Sequence, residues 1–147
     1  MAERPRRLRG RALVAGRAGG VALVLDEPLS FWGGLEPASG VIVDERHPQH
    51  GQGTAGRVLV MPGARGSSSS SSVLAEAIRS GRGPAAIILA RAEGIVALGA
   101  LVVRLLDGRS CPVVELNPSD YAGLRSGDLL DVDPNGEVEV RRPRAVP

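Results

Sequence analysis

Residues 57–72 place a glycine-rich turn, an arginine and a row of hydroxyl groups between a short apolar run and a helical pattern. The segment reads R-V-L-V-M-P-G-A-R-G-S-S-S-S-S-S and continues as V-L-A-E-A-I-R-S-G. A turn that ends at a helix start aims unpaired backbone N–H groups and the positive end of the helix dipole at one small volume, where an anion is held. Because Arg65 and the serines lie in this turn, it is a candidate for carboxylate or phosphate recognition and for chemistry by a serine.

The spacing of the turn excludes two familiar motifs. A nucleotide-binding P-loop requires G-x-x-x-x-G-K-[ST], but Gly63 and Gly66 are too close together and the chain has no lysine. A nucleophile elbow requires G-x-S-x-G, and the residue that would close it after Gly66 is Ser70. A serine run is also typical of a flexible linker. Its position between a buried strand and a helix of the same sheet instead favours an ordered, anion-facing turn.

Histidine and cysteine give no strong metal signal. His47 and His50 lie in D-E-R-H-P-Q-H, where Pro48 breaks any helix that would put both rings on one face, so the pattern favours a polar loop. Cys111 precedes an apolar run and is interpreted as a buried core residue. A single cysteine excludes an intrachain disulfide and a self-contained cysteine cluster. We therefore predict that this chain holds no metal or cofactor by itself.

Composition indicates one globular domain. The 147 residues are 43% hydrophobic and 23% charged, the net charge is +2, and the chain has arginine but no lysine. Arginines cluster at both ends, which predicts tails at residues 1–10 and 142–147 around one domain at 11–141. With only three aromatic residues there is no stacking platform for nucleic acid. No apolar run of about 18 residues and no signal peptide is seen, so we expect a cytoplasmic protein that does not bind a membrane.

Periodicity predicts an α/β fold with a β-rich N-terminal layer. Ala12–Val14 and Val21–Leu25 are apolar runs joined by a Gly-rich segment that suits a hairpin or tight loop, and Val41–Val43 is a further short strand. After residue 57, buried strands alternate with helices, which implies a partly parallel sheet. The predicted strands are Val58–Met61, Ala85–Ala90 and Pro112–Leu116, and a final hairpin is predicted around D-P-N-G. A first helix is predicted through Val73, Leu74, Ala77 and Ile78, ending at Gly81. A second helix is predicted at Gly94–Leu106; it is apolar nearly all round, so we expect it to be covered on both sides.

Several motifs in order resemble the small, swivelling-domain subunit of the aconitase X family. They are D-E-P-L-S-F-W-G-G at 26–34, R-H-P at 46–48, the whole of 57–72, and A-A-I-I-L-A…A-L-G-A-L-V within 85–102. The resemblance covers about residues 10–130. It implies a swivelling β/β/α domain like that of aconitase. It also implies a hydro-lyase that works as a heterodimer or larger assembly with a large subunit carrying an iron–sulfur cluster. Known members dehydrate cis-3-hydroxy-L-proline or mevalonate 5-phosphate.

The resemblance also implies roles for single residues. The turn of aconitase that reads G-S-S-R is similar to Gly66-Ser67-Ser68, so Ser67 would be the alkoxide base and Ser68 would contact substrate. Ser69 stands where aconitase has arginine, and Arg65 is the local substitute for carboxylate binding. The implied substrate-binding residues are Gly63, Arg65, Gly66, Ser68 and Ser69, with His47, Trp32 and Gly33 as further candidates. Phe31 and Trp32 could form another wall of the site or could be core packing.

A different class of function uses the same turn without chemistry. A noncatalytic module would grip a phosphate or carboxylate effector at Gly63–Ser69 and would keep its function when Ser67 is replaced. A third reading, an Arg-rich nucleic-acid binder, predicts retention on DNA or RNA that falls steeply with salt.

Overall fold

The computed structural model describes residues 4–66 and 68–143. Its strands are Arg6–Arg9 (β1), Arg11–Val14 (β2), Ala18–Val24 (β3), Leu29–Ser30 (β4), Leu35–Glu36 (β5), Val41–Ile42 (β6), Val58–Met61 (β7), Ala64–Arg65 (β8), Ala86–Leu89 (β9), Val113–Glu115 (β10), Leu129–Val132 (β11) and Glu137–Arg141 (β12). Its helical segments are Phe31–Gly34 (α1), Ser69–Arg79 (α2), Gly94–Asp107 (α3) and Pro118–Ala122 (α4). Among the described residues, no helix is long and apolar enough to cross a membrane.

Eight strands form one mixed sheet in the order β1-β12-β11-β3-β7-β9-β10-β2. The four strands β3, β7, β9 and β10 are parallel, and α2 and α3 are the crossovers that follow β7 and β9. The two helices pack against each other on one face of these strands. The predicted α/β fold with a partly parallel sheet is confirmed.

The central strands are buried on both faces, and this explains their continuous apolar sequence. Alternate residues of β7 point to opposite faces: Leu59 and Met61 join the cluster under the helices, and Val58 and Val60 join a second cluster. The second cluster includes Leu130, Val132, Val138 and Val140 of the β11–β12 hairpin, which covers the face opposite the helices. The β11–β12 part of the eight-stranded sheet therefore forms one layer, the parallel strands form a second and the helices form a third, as expected for a swivelling β/β/α domain.

The predicted hairpin between Ala12–Val14 and Val21–Leu25 is wrong. β2 pairs antiparallel with β10, whereas β3 lies between β7 and β11. In the centre of the sheet β3 buries Ala22 and Leu23 completely or almost completely, which a two-stranded hairpin does not offer. Long-range burial has therefore outweighed the local turn signal. The predicted C-terminal hairpin, in contrast, forms as β11 and β12.

The other predicted elements appear with small changes of boundary. The predicted strand at Val58–Met61 is β7, and α3 ends one residue beyond the predicted Leu106. The helix after the serines ends at Arg79 and its chain reverses at Gly81, where φ is 79°. This helix begins earlier than its apolar pattern indicates, at Ser69 instead of near Val73.

Among the described residues, helix α3 is covered on one side only, which corrects the prediction of cover on both sides. Val96, Gly99, Ala100 and Val103 are buried against the sheet and α2. The opposite side of the helix leaves large apolar side chains exposed, and they are Leu98, Leu101, Val102, Leu105 and Leu106.

Strands β1 and β12, which lie near the two ends of the described chain, belong to the sheet. β1 pairs with β12 and buries Leu8, although it falls within the segment assigned to an N-terminal tail. Arg142, at the start of the predicted C-terminal tail, forms an ion pair of 2.8 Å with the buried carboxylate of Asp128. These contacts carry ordered structure into both predicted tails.

Candidate functional site

The Gly63–Ser69 turn lies at the carboxyl end of β7, the second of the four parallel strands. The carboxyl ends of parallel strands are where α/β folds commonly build sites, because the loops that lead to the helices gather there. Within the turn, the two-residue strand β8 pairs in parallel with β4, so that Ala64 lies opposite Leu29 and Arg65 opposite Ser30. The turn is therefore held to the segment that precedes Phe31 and Trp32.

Gly66 is clamped between two serine hydroxyls. Its φ is 107°, in the region that favours glycine, and a Cβ at this position would lie 2.7 Å from the Oγ atoms of both Ser30 and Ser70. Ser70 is completely buried, and its Oγ accepts a hydrogen bond of 3.3 Å from the backbone N–H of Trp32. The Ser30 hydroxyl donates to the Trp32 carbonyl at 3.0 Å. These contacts tie the turn to α1 and to the start of α2.

The last four serines of the run, Ser69–Ser72, are the beginning of helix α2. Ser68 is the residue before α2, and its carbonyl accepts from the Ser71 hydroxyl at 2.6 Å and from the Ser71 backbone N–H at 3.2 Å. Ser68 and Ser69 are exposed at this helix start. The predicted base, Ser67, lies outside the described residues. Its two sequence neighbours, Gly66 and Ser68, belong to the clamped turn and to the helix start.

Arg65 already has an anionic partner in this structure. Its Nη2 lies 3.3 Å from Oε1 of Glu27, and both side chains are about half exposed to solvent. An ion pair at such exposure contributes about 0–1 kcal/mol. Arg65 lies in the turn, and its positive charge is directed to Glu27.

Gly63 is buried and lines a cavity of about 230 Å³ at the same end of the sheet. The other lining residues are Ala64 and the residues that link β9 to α3, namely Arg91, Ala92 and Glu93. This cavity joins the carboxyl ends of two neighbouring parallel strands. Arg91 and Glu93 were not among the residues singled out from the sequence, because no motif marks the loop after β9.

Phe31 and Trp32 have different environments. Phe31 is completely buried in the core under the helices, whereas the Trp32 side chain is 64% exposed beside the start of α2. Gly33 has a φ of 76° with open space where a Cβ would stand. The core interpretation holds for Phe31. Trp32 lies at the surface next to the turn.

His47 holds a loop in place. Its Nδ1 accepts a hydrogen bond of 3.0 Å from the Gln49 N–H, and its Nε2 lies 3.1 Å from the Glu27 carbonyl, to which it donates in this arrangement. His47 thus contacts Glu27, the residue that pairs with Arg65. Within residues 4–66 and 68–143, no group of three His, Cys, Asp or Glu side chains could hold a metal ion.

Cys111 does not fit a cluster or a nucleophile. It is completely buried in the core, and burial raises the pKa of its thiol to about 12. Iron–sulfur clusters are held by thiolates, and a nucleophilic cysteine also needs the thiolate form. The prediction that Cys111 is a core residue is confirmed.

A family model of the aconitase X swivel domain matches residues 7–140. The chain therefore belongs to the aconitase X swivel-domain family. A crystal structure of Thermococcus kodakaraensis aconitase X in its holo-form is similar with a TM-score of 0.82 and 36% identity, over 92% of this chain and 98% of that chain. Both results confirm the resemblance and the swivelling fold inferred from the sequence.

Relatives with two different names are similar in sequence to this chain. The cis-3-hydroxy-L-proline dehydratase of Pseudomonas aeruginosa is 44% identical over 92% of this chain, and the match spans 25% of that relative. The corresponding enzyme of Hypocrea jecorina is 40% identical, and the match spans 21% of its length. The phosphomevalonate dehydratase small subunit of Methanosarcina acetivorans is 35% identical, over 95% of this chain and 94% of that protein. The chain thus spans about a quarter of the first relatives but nearly all of the third.

Proposed function

We propose that this chain is the small subunit of an aconitase X-type hydro-lyase that removes water from a hydroxy acid. The single observation that carries the proposal is membership of the aconitase X swivel-domain family over residues 7–140. The resemblance of Gly66-Ser67-Ser68 to the G-S-S-R turn of aconitase supports it. The clamped turn at the carboxyl end of a parallel strand supports it, because a reaction site needs fixed groups beside an open volume.

Dehydration requires a base on one side of a carbon–carbon bond and a leaving hydroxyl on the other. In the proposed reaction the Ser67 alkoxide takes a proton from carbon, and the C–H electron pair becomes the new double bond. The C–O bond breaks, and its electron pair leaves with the hydroxide, which is released as water after protonation. An iron–sulfur cluster in the large subunit would act as the Lewis acid for the hydroxyl. The residues of this chain supply the base and hold the carboxylate.

The free energy needed to form the Ser67 alkoxide requires a partner chain. A helix terminus contributes at most about 2 kcal/mol to the binding of an anion. Since one pKa unit corresponds to about 1.36 kcal/mol, the dipole of α2 lowers a serine pKa by roughly 1.5 units. That is far too little to produce an alkoxide near neutral pH. Neighbouring donors, exclusion of water and the charge of a metal-bound substrate must supply the rest, so the active unit is this chain together with its large subunit.

Two substrates fit the proposal, cis-3-hydroxy-L-proline and mevalonate 5-phosphate. Relatives named for the first are 44% and 40% identical, and relatives named as small subunits for the second are 35–37% identical. The separate small chain resembles the phosphomevalonate relatives in length, whereas the identity is higher to the hydroxyproline relatives. Both compounds are hydroxy acids with a carboxylate, so the proposed role of the turn is the same for either.

Replacement of Ser67 by alanine tests the catalytic role. In the complex with the large subunit, Ser67→Ala should lower kcat for dehydration by about 100-fold or more, the contribution typical of a positioned base. Ser72→Ala is the matched control, because Ser72 belongs to the same run but lies on the exposed side of α2. Unfolding temperature and co-purification with the large subunit should be unchanged in both variants.

The outcome separates the two classes of function. A noncatalytic anion-binding module predicts no turnover by the assembled complex, or turnover that is equal in Ser67→Ala and the unmodified chain. Equal turnover would refute the assignment of Ser67 as base.

A further inference from the structure

Arg91 stands at the same end of the sheet as the Gly63–Ser69 turn but on the next parallel strand. It follows β9, and its backbone N–H donates to the Pro62 carbonyl at 3.2 Å, which joins the loop after β9 to the loop after β7. Pro62 immediately precedes Gly63. The position of Arg91 is therefore set by the backbone that begins the turn.

The guanidinium group of Arg91 lies over Gly63. A Cβ at residue 63 would be 3.2 Å from Nη2 and 3.8 Å from Cζ of Arg91. The absence of a side chain at Gly63 thus gives the planar guanidinium room to lie on the backbone of the turn. The two residues line one wall of the cavity of about 230 Å³ described above. That volume accommodates a small anionic group such as a carboxylate.

Among the described residues, no carboxylate forms an ion pair with Arg91. Two acidic residues next to the loop of Arg91 have other partners: Glu93 accepts from the Ile95 N–H at 2.9 Å, and Glu115 pairs with Arg11 at 3.1 Å. Glu115 also accepts from the Ala92 N–H at 2.6 Å. Arg65, the arginine of the Gly63–Ser69 turn, pairs with Glu27. Within the described part of the chain, Arg91 is thus the cation at this cavity whose donors remain available.

We infer that Arg91 binds the carboxylate of the hydroxy acid, with the cavity beside Gly63 as the carboxylate subsite. The guanidinium presents parallel N–H donors that suit the two oxygens of a carboxylate. Glu93, in the same cavity, is engaged at the N-terminus of α3 and so leaves the guanidinium to the ligand. This inference rests on the proposed function and replaces Arg65 by Arg91 as the carboxylate-binding arginine.

The test compares an acid with its uncharged amide. The complex of this chain with its large subunit is assayed with cis-3-hydroxy-L-proline, with mevalonate 5-phosphate, and with the primary carboxamide of whichever compound it dehydrates. In Arg91→Gln, kcat/KM for the acid should fall about 10- to 100-fold, the value of a charge-assisted hydrogen bond, mainly through a higher KM. The preference for the acid over the amide should fall by the same factor. Arg91→Lys should recover part of this preference.

The comparison variants are Arg65→Gln and Arg141→Gln. Arg141 is an exposed β12 residue paired with Glu139, so Arg141→Gln controls for the loss of one positive charge. An acid-over-amide preference that is unchanged in Arg91→Gln, or that falls in Arg65→Gln instead, overturns the inference. Loss of assembly alone, with the preference intact in Arg91→Lys and in the residual Arg91→Gln complex, overturns it as well.

A binding measurement keeps this inference separate from the proposed function. Calorimetric titration of the deoxy analogue of that acid, which has no hydroxyl to lose, into the Ser67→Ala complex, with and without Arg91→Gln, reads carboxylate binding without turnover. Weaker binding in the double variant supports the carboxylate subsite even if Ser67→Ala remains active, which would refute only the base. Equal binding in both complexes overturns the role of Arg91 even if Ser67→Ala is inactive.

Discussion

Two serine hydroxyls from distant parts of the chain hold the turn that carries the candidate site. Ser30 and Ser70 approach Gly66 from either side, and Ser70 also accepts the Trp32 N–H. The glycine and the serine run are visible in the sequence, but Ser70 is one of six adjacent serines with no feature of its own. Only the fold distinguishes it, because burial depends on which helical residue faces α1. Arg91 was missed for a similar reason, since it follows a strand whose neighbour is set by the sheet order.

Gly66→Ala should disrupt the turn for two reasons at once. The added Cβ would lie within 2.7 Å of both serine hydroxyls, and φ of 107° is strained for alanine. We expect a loss of about 2–4 kcal/mol in the free energy of unfolding, from strain and displaced hydrogen bonds together. We also expect a large loss of kcat in the complex. Urea denaturation of the chain and the dehydratase assay measure the two effects.

Gly51→Ala is the matched control for backbone strain. Gly51 has a φ of 87° but open space where a Cβ would stand. It should lose only the strain contribution, about 1 kcal/mol, and keep its activity. Equal effects of the two substitutions would contradict the role given to Ser30 and Ser70.

The start of α2 shows why the apolar pattern alone gave the wrong helix boundary. The prediction placed the helix near Val73, where buried residues begin to recur, whereas four serines precede it as helical residues. The first turn of a helix has free N–H groups and little contact with the core, so apolar periodicity cannot mark it. Strands β7 and β9 were predicted well because burial on both faces leaves a continuous apolar run. The pairing of β2 was not, since it depends on a strand about a hundred residues later.

Leu74 and Leu106 provide a test of the observed packing of α2 and α3. Leu74 is completely buried in the core under the helices, whereas Leu106 is 83% exposed. Leu74→Ala should lower the free energy of unfolding by about 2–5 kcal/mol because it leaves a cavity. Leu106→Ala should change it by no more than about 0.5 kcal/mol. Urea denaturation of both variants measures the difference, and a comparable loss in Leu106→Ala would show that α3 packs with its other side inward.

The C-terminal end of the described chain is fastened to the molecule by the Arg142–Asp128 pair. Burial by itself raises the pKa of Asp128, but the hydrogen bonds from Arg142 and from the Arg125 N–H, with the charges of Arg142 and Arg6, outweigh it and lower the pKa. A lowered pKa means that the carboxylate contributes stability above its unfolded pKa. That contribution is lost as the pH falls through the folded pKa.

Arg142→Gln should therefore destabilise the protein most near neutral pH. Removal of the guanidinium leaves the buried Asp128 carboxylate without its cation, which costs about 3 kcal/mol of the free energy of unfolding. As the pH falls below the unfolded aspartate pKa of about 3.9 and through the lowered folded pKa of Asp128, the unmodified chain loses this contribution, and the difference between the two proteins should shrink. Urea denaturation across this pH range measures it. A difference that grows on acidification would contradict the assignment, and Arg141→Gln serves as the exposed control.

The molecule as a whole combines a layer of helices, the turn around Gly66 and a cavity lined by Arg91. The partly parallel sheet was recoverable from the strand–helix alternation and the swivelling architecture from the family motifs, but the sheet order was not, because β2 pairs with β10 and not with β3. The exposed side of α3 was not recoverable either, because an apolar helix sequence does not reveal which side the rest of the chain covers. The proposed activity accordingly belongs to an assembly.

The most direct test of the proposed function is a reconstitution assay. Dehydration of cis-3-hydroxy-L-proline and of mevalonate 5-phosphate is measured with this chain alone, with the cluster-bearing large subunit alone, and with the two combined. We predict no turnover by either polypeptide alone and turnover of one of the two compounds when they are combined. Turnover by this chain without its partner, or none by the combined subunits with a loaded cluster, would contradict the proposed two-subunit hydro-lyase.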